Sequence, residues 1–287
     1  MSKIYDAIMK AQREQKVLEK EAISSRAVPE VQPIAPERKV DQKTPFLVTT
    51  TKTITRVNIG KFVAKPDSIM AEQFRKLRGI ITTHNLTSSL RSLLVTSCMP
   101  AEGKTKVAIN LSFTIAKGLD DSVILVDADL RRKSLSSLLD LRNASGLSDI
   151  LVGRAGIQET LIPTEIKGLA VLPAGLNPPN PAELVASMRM RSLVQHLGAG
   201  YRNSYIIIDS TPIVSTAEAN ILSEVVDGVL IVILADKTRR DVVRRELKTI
   251  NAEKILGVIL NCAELETSDY DHEYYKSYAP RKSDEPT

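Results

Sequence analysis

The chain has few of the residues that staple, chelate or span. Its two cysteines, Cys98 and Cys262, cannot form a disulfide framework, and both sit in or beside predicted strand ends, where a reduced thiol acts as a small apolar residue. Its three histidines, His84, His196 and His272, are scattered and show no metal-ligand spacing. No apolar run approaches the roughly 20 residues that cross a bilayer, and Met1-Ser2-Lys3-Ile4-Tyr5-Asp6 lacks the apolar segment of a signal peptide. A cytoplasmic chain is expected. There is no block of one charge either: 39 basic residues are interleaved with 34 acidic ones for a net +5, so no nucleic-acid partner is expected. What is present, 43% hydrophobic content over 287 residues, is enough for one sizeable α/β domain with extensions.

The most informative stretch is Ser97-Cys98-Met99-Pro100-Ala101-Glu102-Gly103-Lys104-Thr105. The apolar run Leu93-Leu94-Val95 precedes it, and Val107, Leu111 and Ile115 follow at helical spacing, giving the strand–loop–helix setting of a phosphate-binding loop. Backbone N–H groups at the helix start form an anion site, Lys104 reaches the β- and γ-phosphates, and the Thr105 hydroxyl can ligate Mg²⁺. The strict pattern opens with glycine five positions before Gly103, and Cys98 stands there instead.

In chain order, residues 1–22 place Ile4, Ala7, Ile8, Ala11 and Leu18 on a narrow apolar stripe, so an amphipathic helix is expected. Residues 23–67, with prolines at 29, 33, 36, 45 and 66, read as a linker with one or two short extended segments. The domain is expected over residues 68–265. It opens on a helix with Ile69, Met70, Phe74, Leu77, Ile80 and Ile81 on one side and Glu72, Arg75 and Arg78 at i, i+3, i+6. That charged face is either a solvated stripe with internal ion pairs or a ridge that docks on a neighbouring subunit. Six Val/Ile/Leu-rich runs follow: Leu93–Thr96, Val123–Val126, Leu169–Pro173, Tyr205–Ile208, Val229–Leu234 and Ile255–Leu260. Helical patterns lie between them, including Pro181–Leu197, Ala217–Val225 and Arg239–Asn251. Continuous apolarity with intervening helices predicts a doubly wound, mainly parallel sheet flanked by helices, with binding chemistry at the carboxyl ends of its strands.

Two of those ends are acidic. Val123–Val126 runs into Asp127-Ala128-Asp129-Leu130-Arg131, and an extended backbone would project Asp127 and Asp129 from the same side. Beside a phosphate loop they can hold Mg²⁺ and accept a proton from an attacking hydroxyl, or Asp129 can cap a helical segment over Leu130–Leu139. Tyr205-Ile206-Ile207-Ile208-Asp209 is an apolar strand closing on aspartate, the Walker B arrangement.

This combination resembles the bacterial tyrosine kinases of capsule and exopolysaccharide assembly, relatives of the MinD and ParA ATPases. The resemblance runs from about Ser68 to the C-terminus, and Met1 to Gln12 is similar to the opening of free-standing members. It maps the phosphate loop onto Ala101–Thr105, the V-D-A-D-x-R motif onto Val126–Arg131, Walker B onto Ile206–Asp209, and the E-x-x-R-x-x-R oligomerisation ridge onto Glu72, Arg75 and Arg78. It implies that Ala101, Glu102, Gly103, Lys104, Thr105 and Lys106 hold the nucleotide phosphates and that Asn261, paired with Leu260, lies near the base. It further implies Mg²⁺ at Thr105, Asp127 and Asp209, and catalysis by Lys104, Asp127 and Asp129. The chain departs from the pattern at Ala101 for glycine, Lys106 for a second hydroxyl residue, and Ser210-Thr211-Pro212 for x-Pro-Pro. Alanine tolerates positive φ poorly, so Ala101 bears on the loop geometry.

Residues 266–287 form a polar tail that carries Tyr270, Tyr274, Tyr275 and Tyr278, four of the seven tyrosines. Alone it would read as a plain end; the resemblance implies a cluster phosphorylated between subunits. The reading is an ATP- and Mg²⁺-dependent protein-tyrosine autokinase that regulates exopolysaccharide or capsule polymerisation or export. It implies a homo-oligomer, a separate membrane co-polymerase that recruits it to the inner face of the plasma membrane, and a cognate tyrosine phosphatase. The alternatives are a MinD- or ParA-like ATPase switch without kinase activity and a nucleotide-binding scaffold without turnover.

Overall fold

A strand that is apolar at every position needs cover on both faces, and the inner apolar runs here obtain it, the last run, Ile255–Leu260, being partly open at the sheet edge. The computed structural model describes residues 56–87, 89–118, 122–199 and 204–263. The expected N-terminal helix, most of the expected linker and the four tail tyrosines lie outside them. The strands are β1 (Ser92–Ser97), β2 (Ser122–Asp127), β3 (Ile162–Pro163), β4 (Leu169–Leu172), β5 (Ser204–Asp209), β6 (Gly228–Leu234) and β7 (Ile255–Asn261). The helices are α1 (Ile69–Thr87), α2 (Lys104–Ala116), α3 (Ser134–Leu138), α4 (Leu147–Leu151), α5 (Ile157–Thr160), α6 (Pro181–Val185), α7 (Met188–Ala199), α8 (Glu218–Val225) and α9 (Arg240–Leu247).

The seven strands form one sheet in the order β3-β4-β2-β5-β1-β6-β7. All pairings are parallel except that of β3 with β4. Alternate residues of each strand feed opposite layers. Leu94, Ile124, Val126, Ile206, Ile208 and Ile231 pack with Met190, Leu193 and Leu222 of α7 and α8. Leu93, Val95, Leu125, Ile207 and Val232 pack with Val107, Leu111 and Ile115 of α2 and Ile81 of α1. The order sets β5 between β1 and β2, with Asp209 in register with both Val95 and Asp127. Three adjacent strand ends thus carry the phosphate loop and the two acidic termini.

Four expectations change in detail. The Pro181–Leu197 helix is broken at Ala186–Ser187 into α6 and α7. The Leu130–Leu139 segment is helical only over Ser134–Leu138, because Lys133 takes a left-handed φ of 51°. On α1, Met70 and Ile80 are exposed, so its apolar arc is wider than the surface α2 covers. Residues 56–67 are packed rather than linker-like: Val57 bridges to Thr164, Ile59 is fully buried, and the Ile59 and Gly60 N–H groups donate to Glu165 at 3.0 and 2.7 Å.

The layering gives a contrast to measure. Ile207 is fully buried, whereas Val258 on the edge strand β7 is 46% exposed. Ile207→Ala should cost about 2–5 kcal/mol in urea unfolding, and Val258→Ala under about 1 kcal/mol; equal costs would contradict the two-layer core.

Candidate active site

Between Ser97 and Lys104 the chain turns from β1 into α2 through two left-handed residues, Ala101 at φ 64° and Gly103 at φ 92°. Only glycine fits at 103, where a Cβ would lie 2.1 Å from Asn261 Nδ2. That amide donates to the Glu102 carbonyl at 2.8 Å, so the end of β7 braces the loop from behind. Ala101 carries a Cβ in a conformation that costs an L-residue about 1–2 kcal/mol, which is the geometric consequence of its replacing glycine. Cys98 needs no such freedom: its φ is not positive and its side chain is buried in the sheet core. Burial, then the Glu102 charge, pushes its thiol up to about 11, so it is inert at neutral pH.

The Glu102 carboxylate turns inward. It accepts from the Met99 N–H at 2.7 Å and from the Thr238 hydroxyl, tying the loop to the turn after β6. The first turn of α2 leaves the N–H groups of Gly103, Lys104, Thr105 and Lys106 without intrahelical acceptors, which makes a ready anion site. The Lys106 side chain is exposed, and its carbonyl accepts from Asn110 at 2.8 Å.

Behind the loop lie three buried carboxylates. Lys104 Nζ stands 3.6 Å from Asp209 Oδ1 and 3.8 Å from Asp129 Oδ2, and donates to Thr105 Oγ1 at 3.3 Å. Asp209 is completely buried and, among the described residues, neither of its oxygens has a hydrogen-bond partner; the Lys104 contact is an ion-pair distance only. Burial pushes its carboxyl up to about 6 despite Lys104 and Thr105. Asp127 Oδ2 accepts from Ser136 N and Ser136 Oγ, both at 2.7 Å, and Oδ1 accepts from Asp129 N at 3.2 Å. Burial and the neighbouring Asp209 push it up to about 7. Asp129 accepts from Arg132 N at 3.0 Å and Ser134 Oγ at 3.2 Å.

The strand therefore stops at Asp127, and the chain folds back so that Asp129 donates to it. The two side chains are not an extended pair on one face. The capping role is shared: Asp129 accepts the Arg132 N–H and caps the turn that starts at Leu130, while Asp127 accepts an N–H of the α3 first turn.

Among the described residues no three of His, Cys, Asp and Glu gather as a metal cage. Mg²⁺ in phosphoryl-transfer sites needs only one or two carboxylates beside waters and phosphates. Asp209, buried with two unsatisfied oxygens, fits that role with Thr105 beside it; Asp127 fits less well because its oxygens already accept three bonds.

The Glu72, Arg75 and Arg78 face is partly satisfied within the subunit. Glu72 and Arg75 pair at 2.7 Å, and Arg78 donates to the Thr114 carbonyl at 3.1 Å. A cavity of about 380 Å³ opens beside them, lined by Phe74, Phe113 and Lys117 among others. Sequence reasoning missed Ser136, which locks Asp127, and Thr238, which locks Glu102. It also missed Glu218, whose Oε1 accepts from Arg131 Nε at 2.8 Å. A single serine, threonine or glutamate outside a motif gives no signal. Thr211, standing in place of a proline, bonds the Thr216 hydroxyl at 2.7 Å.

The chain is similar to known proteins across this region. The ParA family, described as NUBPL iron-transfer P-loop NTPase, matches residues 90–282. The putative tyrosine-protein kinase CapB of Staphylococcus aureus is 32% identical over 213 residues, 74% of this chain and 92% of the relative. The tyrosine-protein kinase YwqD of Bacillus subtilis strain 168 is 33% identical over 215 residues, 74% of this chain and 89% of the relative. The kinase domain of the Escherichia coli tyrosine kinase ETK superposes with a TM-score of 0.65 at 28% identity, covering 77% of this chain and 85% of that domain.

Raised carboxyl pKa values set a sign for stability. A carboxyl raised in the fold binds more protons folded than unfolded, so stability falls as pH rises from the unfolded pKa, about 3.9, through the folded one. For Asp209 and Asp127 that window runs up to about 6 and about 7. Asp209→Asn should melt higher than the wild type at pH 8 and converge with it near pH 4; a constant difference across the range would show that no proton is held there. Gly103→Ala should destabilise the chain, while Ala101→Gly should be neutral or stabilising by up to about 1 kcal/mol; thermal melts of the two variants check both.

Proposed function

The chain belongs to the bacterial tyrosine-protein kinases, within the ParA-like P-loop NTPases, and from that premise we propose an ATP- and Mg²⁺-dependent autokinase that phosphorylates its own C-terminal tyrosines between subunits. The acceptors are Tyr270, Tyr274, Tyr275 and Tyr278. The observation that carries the reading is Lys104, held at the mouth of the loop between Asp129 and Asp209.

In this reading the N–H groups of Gly103 to Lys106 receive the phosphates and Lys104 neutralises charge on the transferring group. Thr105 and Asp209 would hold Mg²⁺, with Asp127 close by; the ion would supply charge neutralisation on the phosphate oxygens. A tyrosine oxygen forms the new bond to the γ-phosphorus as the bond to the bridging oxygen of ADP breaks, and the phenolic proton passes to Asp127 or Asp129. Asp127 has a pKa near neutrality, which suits a base; Asp129 is the one beside Lys104. Asn261 braces the loop and stands next to the base side of the proposed nucleotide.

Oligomerisation through Glu72, Arg75 and Arg78 brings one subunit's tail to another's site. Each phosphotyrosine adds roughly −1.5 to −2 charge, which loosens the assembly. Among the described residues no helix is long and apolar enough to cross a membrane. By likeness to its family, a separate membrane co-polymerase is proposed to recruit the chain to the inner face of the plasma membrane and activate it. The cycle would govern exopolysaccharide or capsule polymerisation or export, with a cognate phosphatase resetting it.

Intact mass after incubation with ATP, Mg²⁺ and the partner's cytoplasmic segment tests this directly. Phosphate should add to the wild type but not to Lys104→Ala, nor to a chain ending at Asp269. ATP hydrolysis with no added mass would overturn the autokinase and favour a nucleotide switch. Arg75→Ala with Arg78→Ala should leave the domain folded, at a cost of about 1 kcal/mol for the lost Thr114 bond, and lower the oligomer mass in light scattering. Unchanged mass would reject the ridge.

A further inference from the structure

Glu218 opens α8, directly after the loop that follows Asp209, and its side chain is buried with Arg131 as its one charged partner among the described residues. Oε1 accepts from the Arg131 Nε at 2.8 Å, while among the described residues Oε2 has no hydrogen bond. Burial pushes the Glu218 carboxyl up, but the Thr216 hydroxyl and Arg131 outweigh it and hold the group below its usual value, so it stays charged. A buried carboxylate with one oxygen idle adds little net stability. Its chemical effect is on Arg131.

Arg131 lies two residues beyond Asp129, which is itself 3.8 Å from Lys104. Its side chain is 50% exposed and, among the described residues, hydrogen-bonds only through Nε, which leaves the terminal Nη1 and Nη2 donors without a protein acceptor there. A guanidinium clamped at Nε is pre-oriented for anionic oxygens and loses less freedom on binding them. Thr211 and Thr216 lie in the chain between Asp209 and Glu218. The Thr216 hydroxyl lies 2.7 Å from that of Thr211, whose carbonyl accepts from Thr96 of β1 at 2.8 Å.

We infer that Glu218 is a positioning residue for phosphoryl transfer: it aims the Nη end of Arg131 at the transferring phosphoryl oxygens, and the Thr211–Thr216 hydroxyl pair couples it to the strand end that carries Asp209. This rests on the kinase reading above. No covalent step passes through Glu218 itself.

The test compares wild type, Glu218→Gln, Arg131→Gln, the double variant, Arg131→Lys and Thr211→Val. ATP hydrolysis, tail phosphorylation and melting temperature are followed on the full chain. Glu218→Gln and Arg131→Gln should each lower kcat about 10- to 100-fold. KM for ATP should stay within about twofold, and the double variant should lose no more than either single one. Thr211→Val should lose about fivefold, the worth of one ordinary hydrogen bond. Arg131→Lys, half exposed and able to fold, should lose as much as Arg131→Gln because its ammonium offers no Nε clamp. Full kcat in Glu218→Gln or Arg131→Lys, additive losses in the double variant, or losses that merely follow melting temperature would overturn the inference. Wild type that hydrolyses ATP but adds no phosphate would overturn the kinase reading instead, and the hydrolysis series would still decide the role of Glu218.

Discussion

Asp209 and Lys104 face each other at 3.6 Å in a site where the carboxylate is completely buried and, among the described residues, neither of its oxygens is hydrogen-bonded. Removing one such ion from water costs several kcal/mol, and the attraction of its partner at this distance returns about 4 kcal/mol at an effective dielectric constant near 20. The two nearly cancel, and Lys104 also lies beside Asp129. The imbalance raises the proton affinity of the site: Asp209 and Asp127 are pushed up to about 6 and about 7 from the ordinary carboxylate range. A ligand that brings both negative phosphates for Lys104 and a cation for the carboxylates relieves the whole cluster at once. The arrangement of charges is thus suited to a nucleotide with its cation.

The scaffold exists to keep that arrangement rigid. Setting β5 between β1 and β2 puts Asp209 in register with both neighbours. Two ties then keep the loop from relaxing, Asn261 on the Glu102 carbonyl and the Glu102 carboxylate on Met99 and Thr238, and a third, Ser136 on Asp127, fixes the acidic strand end beside it. They come from β7, the turn after β6 and α3, so the geometry is spread across most of the sheet. Such ties allow Ala101 to occupy a left-handed conformation without glycine.

Much of this was legible in the sequence because the chemistry leaves little choice. A phosphate loop needs a strand, Gly103, Lys104, Thr105 and a helix; a buried parallel strand needs an apolar residue at every position. Both were read correctly, as were the seven-stranded sheet's six longer runs. Cys98 looked like a defect and is not one, since the backbone there makes no demand for glycine. What stayed hidden was sidedness and partnership. Nothing local marks Ser136 as the donor to Asp127, or tells that Lys133 would turn left-handed and shorten α3. The two residues of β3 are too few to show a pattern, and Glu218 is one acid among 34. The role of Asn261 as a brace depends on a contact between residues 159 apart.

The most direct measurement is the number of protons exchanged when the protein binds ATP with Mg²⁺, obtained by calorimetry in buffers of different ionisation enthalpy. Near pH 6.5, between the values of Asp209 and Asp127, binding should release about one proton from the protein beyond that from the nucleotide. At pH 8.5, where both carboxylates are already ionised, that release should vanish. The same proton count at both pH values would mean that the buried carboxylates carry no protons for the ligand to displace.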